Sequence, residues 1–102
     1  MQGPLMPRDT DRSTSHFAVP GDVVAEILDG EAVLLNLTSG VYFGLNETGT
    51  RMWQLLQAYG DIPQVVERMA DEFATDQASL EADVRRLVHD LTEMRLLVTD
   101  DA

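Results

Sequence analysis

The stretch Leu35-Asn36-Leu37-Thr38-Ser39-Gly40-Val41-Tyr42-Phe43-Gly44-Leu45-Asn46-Glu47-Thr48-Gly49 contains the point at which the chain changes its hydrophobic period. Before it ends, Val41, Phe43 and Leu45 alternate with Tyr42 and Gly44, the two-residue repeat of a strand with one apolar face. Beyond Asn46, the residues Gly49, Met52, Trp53 and Leu56 fall at i, i+3, i+4 and i+7, one stripe of a helix. Asn46 suits the junction, because its side chain can accept a bond from a free N–H of the first helical turn. Strands are therefore expected before residue 46 and helices after it.

Working towards the N-terminus, Thr38-Ser39-Gly40 reads as a turn and Ala32–Leu37 as the preceding strand, with Val33, Leu35 and Leu37 on one face. Asp29-Gly30 separates this strand from the β-rich run Val23–Leu28. An Asp-Gly pair between two apolar runs favours a tight hairpin, since both central residues of a type I′ turn need positive φ. The expectation is a three-stranded antiparallel meander.

Working towards the C-terminus, Gly60 is placed to end the first helix in the left-handed conformation. Asp61, with Gln64 three residues on and Pro63 in the first turn, begins a second helix whose stripe is Ile62, Val65, Val66, Met69 and Phe73. Asp76 caps a third, with stripe Leu80, Val84, Leu87, Val88, Leu91 and Met94, and Leu96-Leu97-Val98 continues as a short apolar extension. Trp53 and Phe73 are assigned to the core. Strands and helices are segregated along the chain, so the fold class is α+β, a three-stranded antiparallel sheet followed by three helices, similar in shape to a winged helix-turn-helix. Residues 1–20, with three of the four prolines and no hydrophobic period, read as a mostly disordered tail that becomes ordered near Phe17–Val19. The domain is expected over residues 21–98, and residues 99–102 form a C-terminal tail.

The 102-residue chain carries a formal net charge of −11, and its seven basic residues are all Arg. Such a surface repels a phosphate backbone and an anionic membrane, so neither nucleic acid nor membrane is expected as a partner. There is no cysteine, and therefore neither a disulfide nor a thiolate metal ligand. No apolar run approaches the roughly 18–20 residues that span a bilayer. No basic segment followed by an apolar one marks a secretory signal, and the protein reads as cytoplasmic.

Catalysis lacks a constellation in the sequence. Of the two histidines, His16 lies in the tail and His89 one step off the third apolar stripe, where an exposed residue of no special role is expected. No His pair has metal-ligand spacing, and no phosphate-binding glycine loop or nucleophile elbow is present. Asp71/Glu72 and Asp100/Asp101 read as solvated pairs. No catalytic residue, metal or cofactor is assigned.

Binding demands less. The third strand, Val41–Leu45, lacks the charges and prolines with which proteins blunt an exposed sheet edge. Physical chemistry alone leaves two readings open. Either another part of the chain covers this edge, or it accepts an extended peptide by strand addition.

The run Leu35–Gly49 followed by Met52-Trp53-Gln54-Leu55-Leu56 resembles the PqqD-like family, also called RiPP recognition elements. These are leader-peptide-binding modules for ribosomally made, post-translationally modified peptides. The stretch Ala82–Leu91 with Leu96-Leu97-Val98 is similar to that family's last helix and terminus, so the likeness covers about residues 21–98. It implies a non-catalytic protein in which the leader adds a strand along Val41, Tyr42, Phe43, Gly44 and Leu45. The third helix would wall the groove through Glu81, Val84, Arg85, Val88 and Thr92. Arg85 would pair with a leader carboxylate or, equally, with Glu81 four residues earlier.

A free-standing domain of this kind most resembles the leader-binding proteins of lasso peptide biosynthesis. The implied partners are a precursor leader peptide, a separate leader peptidase and a lasso cyclase, with a monomer favoured over a dimer. The alternative within the family is the peptide chaperone of pyrroloquinoline quinone synthesis, partnered by a radical SAM enzyme. A reading from another class, a winged-helix DNA-binding regulator, demands a basic recognition helix. The third helix offers Arg85, Arg86 and Arg95 amid Asp76, Glu81, Asp83, Asp90 and Glu93.

Overall fold

The computed structural model describes residues 15–100. Strand β1 (Phe17–Ala18) pairs antiparallel with β5 (Val98–Thr99), joining the two ends of the described chain. Between them lie β2 (Val23–Leu28), β3 (Glu31–Asn36), β4 (Tyr42–Gly44) and helices α1 (Glu47–Tyr59), α2 (Ile62–Phe73) and α3 (Gln77–Glu93). The order β2-β3-β4 is the expected antiparallel meander, and the class is α+β. The tail expected over residues 1–20 lies mostly outside the described residues. Within the described part, Phe17 and Ala18 are already in strand, and Thr99 pairs with Phe17 although the sequence placed it in the C-terminal tail. A bond from the Phe17 N–H to the Gly60 carbonyl at 2.7 Å ties this clip to the end of α1.

The local signals act as their chemistry requires. Asp29 and Gly30 both have positive φ, 54° and 81°, so the β2–β3 connection is a two-residue turn that opposes Leu28 to Glu31. Asn46 caps α1 by accepting from the Gly49 N–H at 2.8 Å, and Gly60 ends it at φ 79°. Asp61 caps α2 by accepting from the Gln64 N–H, and the Gln64 amide returns to the same carboxylate at 2.7 Å rather than to the backbone. Asp76 caps α3 through the Ser79 N–H.

The core gathers Leu34, Leu45, Met52, Trp53, Leu55, Leu56, Val65, Met69, Leu80, Val84, Leu91, Leu96 and Leu97. Two sequence expectations need correction. Phe73, expected in the core, is 46% exposed; α2 ends there, and Ala74 turns the chain away in the left-handed region at φ 51°. Val33 and Leu35 do share a face of β3, but it is the outer one, while Ala32, Leu34 and Asn36 are buried. Leu37 lies beyond the strand and is exposed.

Polar bonds fix that choice of face. The small Ala32 lets α1 approach, its N–H donating to the Thr50 hydroxyl at 2.9 Å while its carbonyl accepts from the Leu45 N–H. At the other end of β3, the buried Asn36 accepts at Oδ1 from the Thr38 and Ser39 N–H groups, closing the turn into β4. Its Nδ2 donates to the Arg95 carbonyl at 2.9 Å, where the chain leaves α3 with φ 59°. A purely apolar pattern cannot foresee that an Asn takes an inward seat.

Helices α1 and α2 are joined at the surface by a two-pronged ion pair, Arg51 Nε and Nη2 to Glu72 at 2.8 and 2.6 Å. The Arg68 guanidinium also lies 4.0 Å from the centre of the Tyr59 ring. The hydrogen bonds from Arg51, and then its charge, hold the Glu72 carboxyl below its ordinary value. A lowered carboxylate contributes stability above its unfolded-state pKa and loses it as pH falls through the lowered value. Solvent screening keeps this contribution to about 1 kcal/mol or less.

Two outcomes follow. Asn36→Ala, which strands two turn N–H groups and one carbonyl, is expected to lower unfolding free energy by about 2–3 kcal/mol in urea titration. Glu72→Gln is expected to cost stability at neutral pH and to leave the strongly acidic end of a pH–stability profile nearly unchanged.

Candidate functional site

Strand β4 is an edge of the three-stranded sheet. Its register sets Val33 opposite Gly44, Leu34 opposite Phe43 and Leu35 opposite Tyr42. The bonds just outside the strand, Asn36 N–H to Val41 carbonyl and Leu45 N–H to Ala32 carbonyl, mark both flanking pairs as hydrogen-bonded ones. In an antiparallel ladder the paired positions alternate, so Phe43 addresses β3 while the N–H and C=O groups of Tyr42 and Gly44 point away from it. Among the described residues nothing pairs with this edge, which offers two donors and two acceptors spaced for another strand.

Side chains alternate in step. Leu45 is buried and Phe43 partly buried, both packed on the core; Tyr42 is 73% exposed and Val41 and Gly44 are also exposed. Open space surrounds the position a Gly44 Cβ would occupy. Among the described residues, approach to the strand is therefore unobstructed at its middle.

Past Gly44 the edge leads to a cleft of about 230 Å³ between the start of α1 and the side of α3. It is lined by Asn46, Thr48, Gly49 and Met52 on one side and Asp83, Arg86, Leu87 and Asp90 on the other. Met52 and Leu87 give it an apolar floor, and two carboxylates and one guanidinium surround them. A second, larger hollow of about 440 Å³ lies at the opposite end, among Pro20, Asp22, Asn36, Thr38, Ser39, Arg95 and Val98.

The wall residues read from the sequence fall elsewhere on α3. Val84 and Val88 are buried in the core. Arg85 pairs with Glu81 of its own helix at 2.9 Å, both half exposed. The Thr92 hydroxyl donates within its own helix, to the Val88 and His89 carbonyls. At 100° per residue, Glu81, Arg85 and Thr92 occupy one flank of the buried stripe and Asp83, Leu87 and Asp90 the other. The second flank faces the cleft beside Asn46. Helical spacing identifies both flanks; only the direction in which α3 crosses the sheet selects between them, and that is a tertiary property. His89 is exposed, as expected.

Among the described residues no group of His, Cys, Asp or Glu is placed to hold a metal ion, and no helix is long and apolar enough to cross a membrane.

Comparison with known proteins defines the class. The family described as coenzyme PQQ synthesis protein D (PqqD) matches over residues 31–97, and the chain belongs to this PqqD family. Two solved structures share its fold over nearly their whole length. One is TbiB1 in complex with the TbiA(beta) leader peptide, 32% identical, with TM-score 0.76, covering 83% of this chain and 99% of that one. The other is a lasso peptide synthetase B1 complexed with the leader peptide, 25% identical, with TM-score 0.73, covering 81% of this chain and 98% of that one. Curated proteins gave no match.

Because the Gly44 N–H points off the sheet, Gly44→Pro removes no bond of the native ladder. It is expected to shift the melting temperature by only a few degrees, followed by circular dichroism, whereas Phe43→Pro, which removes a bond to Leu34, is expected to unfold the domain.

Proposed function

We propose that this chain is a non-catalytic module that captures the leader of a ribosomally made precursor peptide and presents it to a separate processing enzyme. The observation that carries this reading is the free edge of β4, with the Tyr42 and Gly44 backbone groups turned outward and a half-apolar cleft at its end. An extended peptide added there gains main-chain bonds whatever its sequence, and its alternate side chains find pockets that select among peptides. Both solved relatives are complexes with leader peptides, which supports the same ligand class here. The docking strand comprises Val41, Tyr42, Phe43, Gly44 and Leu45, and Phe43 and Leu45 act by fixing its shape from within.

For the helical wall, the geometry favours Asp83, Arg86, Leu87 and Asp90 over the flank of Glu81, Arg85 and Thr92. Val84 and Val88 support the wall from the core. An apolar leader side chain would sit on Leu87 and Met52, and a basic one beside Asp83 or Asp90, in keeping with the acidic chain.

A free leader is an extended, mobile segment that loses conformational entropy on docking, so its affinity stays below what the contact area suggests. The benefit is proximity: a held leader keeps the remainder of the precursor at high local concentration beside the enzyme that acts on it. We take those enzymes to be a leader peptidase and a lasso cyclase, a choice that rests on the lasso peptide setting of the synthetase B1 relative.

The test is fluorescence anisotropy with the labelled leader of the precursor encoded beside this gene. Saturable binding is expected, weakened about tenfold or more by Gly44→Pro and by Leu87→Asp but little changed by Gly44→Ala or Arg85→Ala. Equal affinity for the Gly44→Pro and Gly44→Ala variants would refute strand addition. If Arg85→Ala weakens binding and Leu87→Asp does not, the wall lies on the other flank.

A further inference from the structure

Helix α3 ends on a residue poorly suited to its backbone. Arg95 follows the last turn at φ 59°, the left-handed conformation that glycine adopts at least cost. Its N–H donates to the Thr92 carbonyl at 3.1 Å, and the next N–H, of Leu96, donates to the Leu91 carbonyl at 2.8 Å. Those two bonds close the helix whatever side chain stands at 95. The fold thus requires the conformation there and not the guanidinium. Backbone strain of this kind collects where a side chain is used.

The side chain is available for use. Arg51 is engaged by Glu72, Arg68 lies on the Tyr59 ring and Arg85 pairs with Glu81. Arg95 is exposed, and among the described residues its guanidinium has no ion pair. It lines the 440 Å³ hollow with Thr38 and Ser39, from the turn before β4, and with Pro20 and Val98 beside the β1–β5 clip. Asp22, the one carboxylate there, accepts from the Thr38 hydroxyl.

We propose that Arg95 reads an acidic side chain of the precursor, just C-terminal to the segment that pairs with β4, and so sets the register of the docked strand. The inference rests on the leader-capture reading and adds a direction and a polar contact to it.

The direction comes from the sheet. Its strand neighbours are antiparallel, and β4 runs from the Ser39–Gly40 turn towards Asn46. A strand that continues this order enters beside Asn46 and the cleft and leaves beside Val41 and the turn. The hollow lies at that exit, under the part of the precursor that leads on to the processed residues.

The chemistry comes from the lining. A guanidinium fork takes both oxygens of a carboxylate. The Ser39 Oγ accepts from the Val41 N–H at 3.2 Å, which leaves its O–H to donate to the same group. Pro20 and Val98 receive the methylene part of the side chain. Main-chain bonds alone do not fix register, since a strand shifted by two residues, about 7 Å, makes the same bonds. Such a shift would carry the precursor carboxylate off Arg95 and onto a domain whose net charge is −11.

Arg95→Gly tests the assignment, because it relieves the strain while removing the cation. Its melting temperature, followed by circular dichroism, is expected not to fall below that of the wild type. Its affinity for the labelled leader of the precursor encoded beside this gene, read by anisotropy, is expected to drop about tenfold, and the difference to shrink as ionic strength rises. Each Asp or Glu of that leader beyond the paired segment is then changed to Asn or Gln in turn. One of these changes is expected to weaken binding to the wild type by the same factor and to leave binding to Arg95→Gly unaltered.

Equal affinity of Arg95→Gly and the wild type would overturn this inference alone. So would a lowered melting temperature without coupling to any leader acid, which would give the side chain to the helix end. Coupling to an acid on the N-terminal side of the paired segment would overturn the assigned direction. Absence of leader binding by the wild type would fell the capture reading together with what rests on it.

Discussion

The buried carboxamide of Asn36 is the constraint on which the arrangement depends. It holds three backbone groups at once, two in the turn that launches β4 and one where the chain leaves α3. Those bonds fix the relation between strand β4 and the end of helix α3. A hydrophobic residue at this seat would fill the volume but take away the partner of two turn N–H groups and of the Arg95 carbonyl, a worse outcome than an Asn bonded at both ends of its carboxamide. The same seat decides which face of β3 is inward, and with it which apolar residues are left outside.

Much of the fold was legible from the sequence because its signals are local. The Asp29-Gly30 turn, the Asn46, Asp61 and Asp76 caps and the left-handed Gly60 each act within a few residues of chain. Their side chains meet backbone groups whose positions the element itself determines. The three helical stripes were readable for the same reason, with Leu80, Val84 and Leu91 all found in the core. Phe73 was misread because the period carried it inward one turn past the point where packing stops.

What failed to read out was long-range. The sequence has apolar residues at Val33 and Leu35 and also at Ala32 and Leu34, so the two-residue period fits either face. The decision comes from Thr50 and Arg95, 18 and 59 residues away from the groups they bond. The candidate site shows the same division. Strand β4 and its free edge were visible as an unprotected apolar run, whereas the flank of α3 beside it was not. Glu81, Arg85 and Thr92 are as regularly spaced as Asp83, Leu87 and Asp90, and no local signal separates the two sets.

The pairing of Phe17–Ala18 with Val98–Thr99 has a consequence for how such a domain can be joined to others. The clip sits at the Gly60 end of α1, and the cleft opens at the Asn46 end, a helix length of roughly 20 Å away. Whatever precedes Phe17 or follows Thr99 is therefore launched from one corner, opposite the entrance to the cleft. A segment joined at either side is attached away from the cleft rather than beside it. The fold is a plug with both wires at the back.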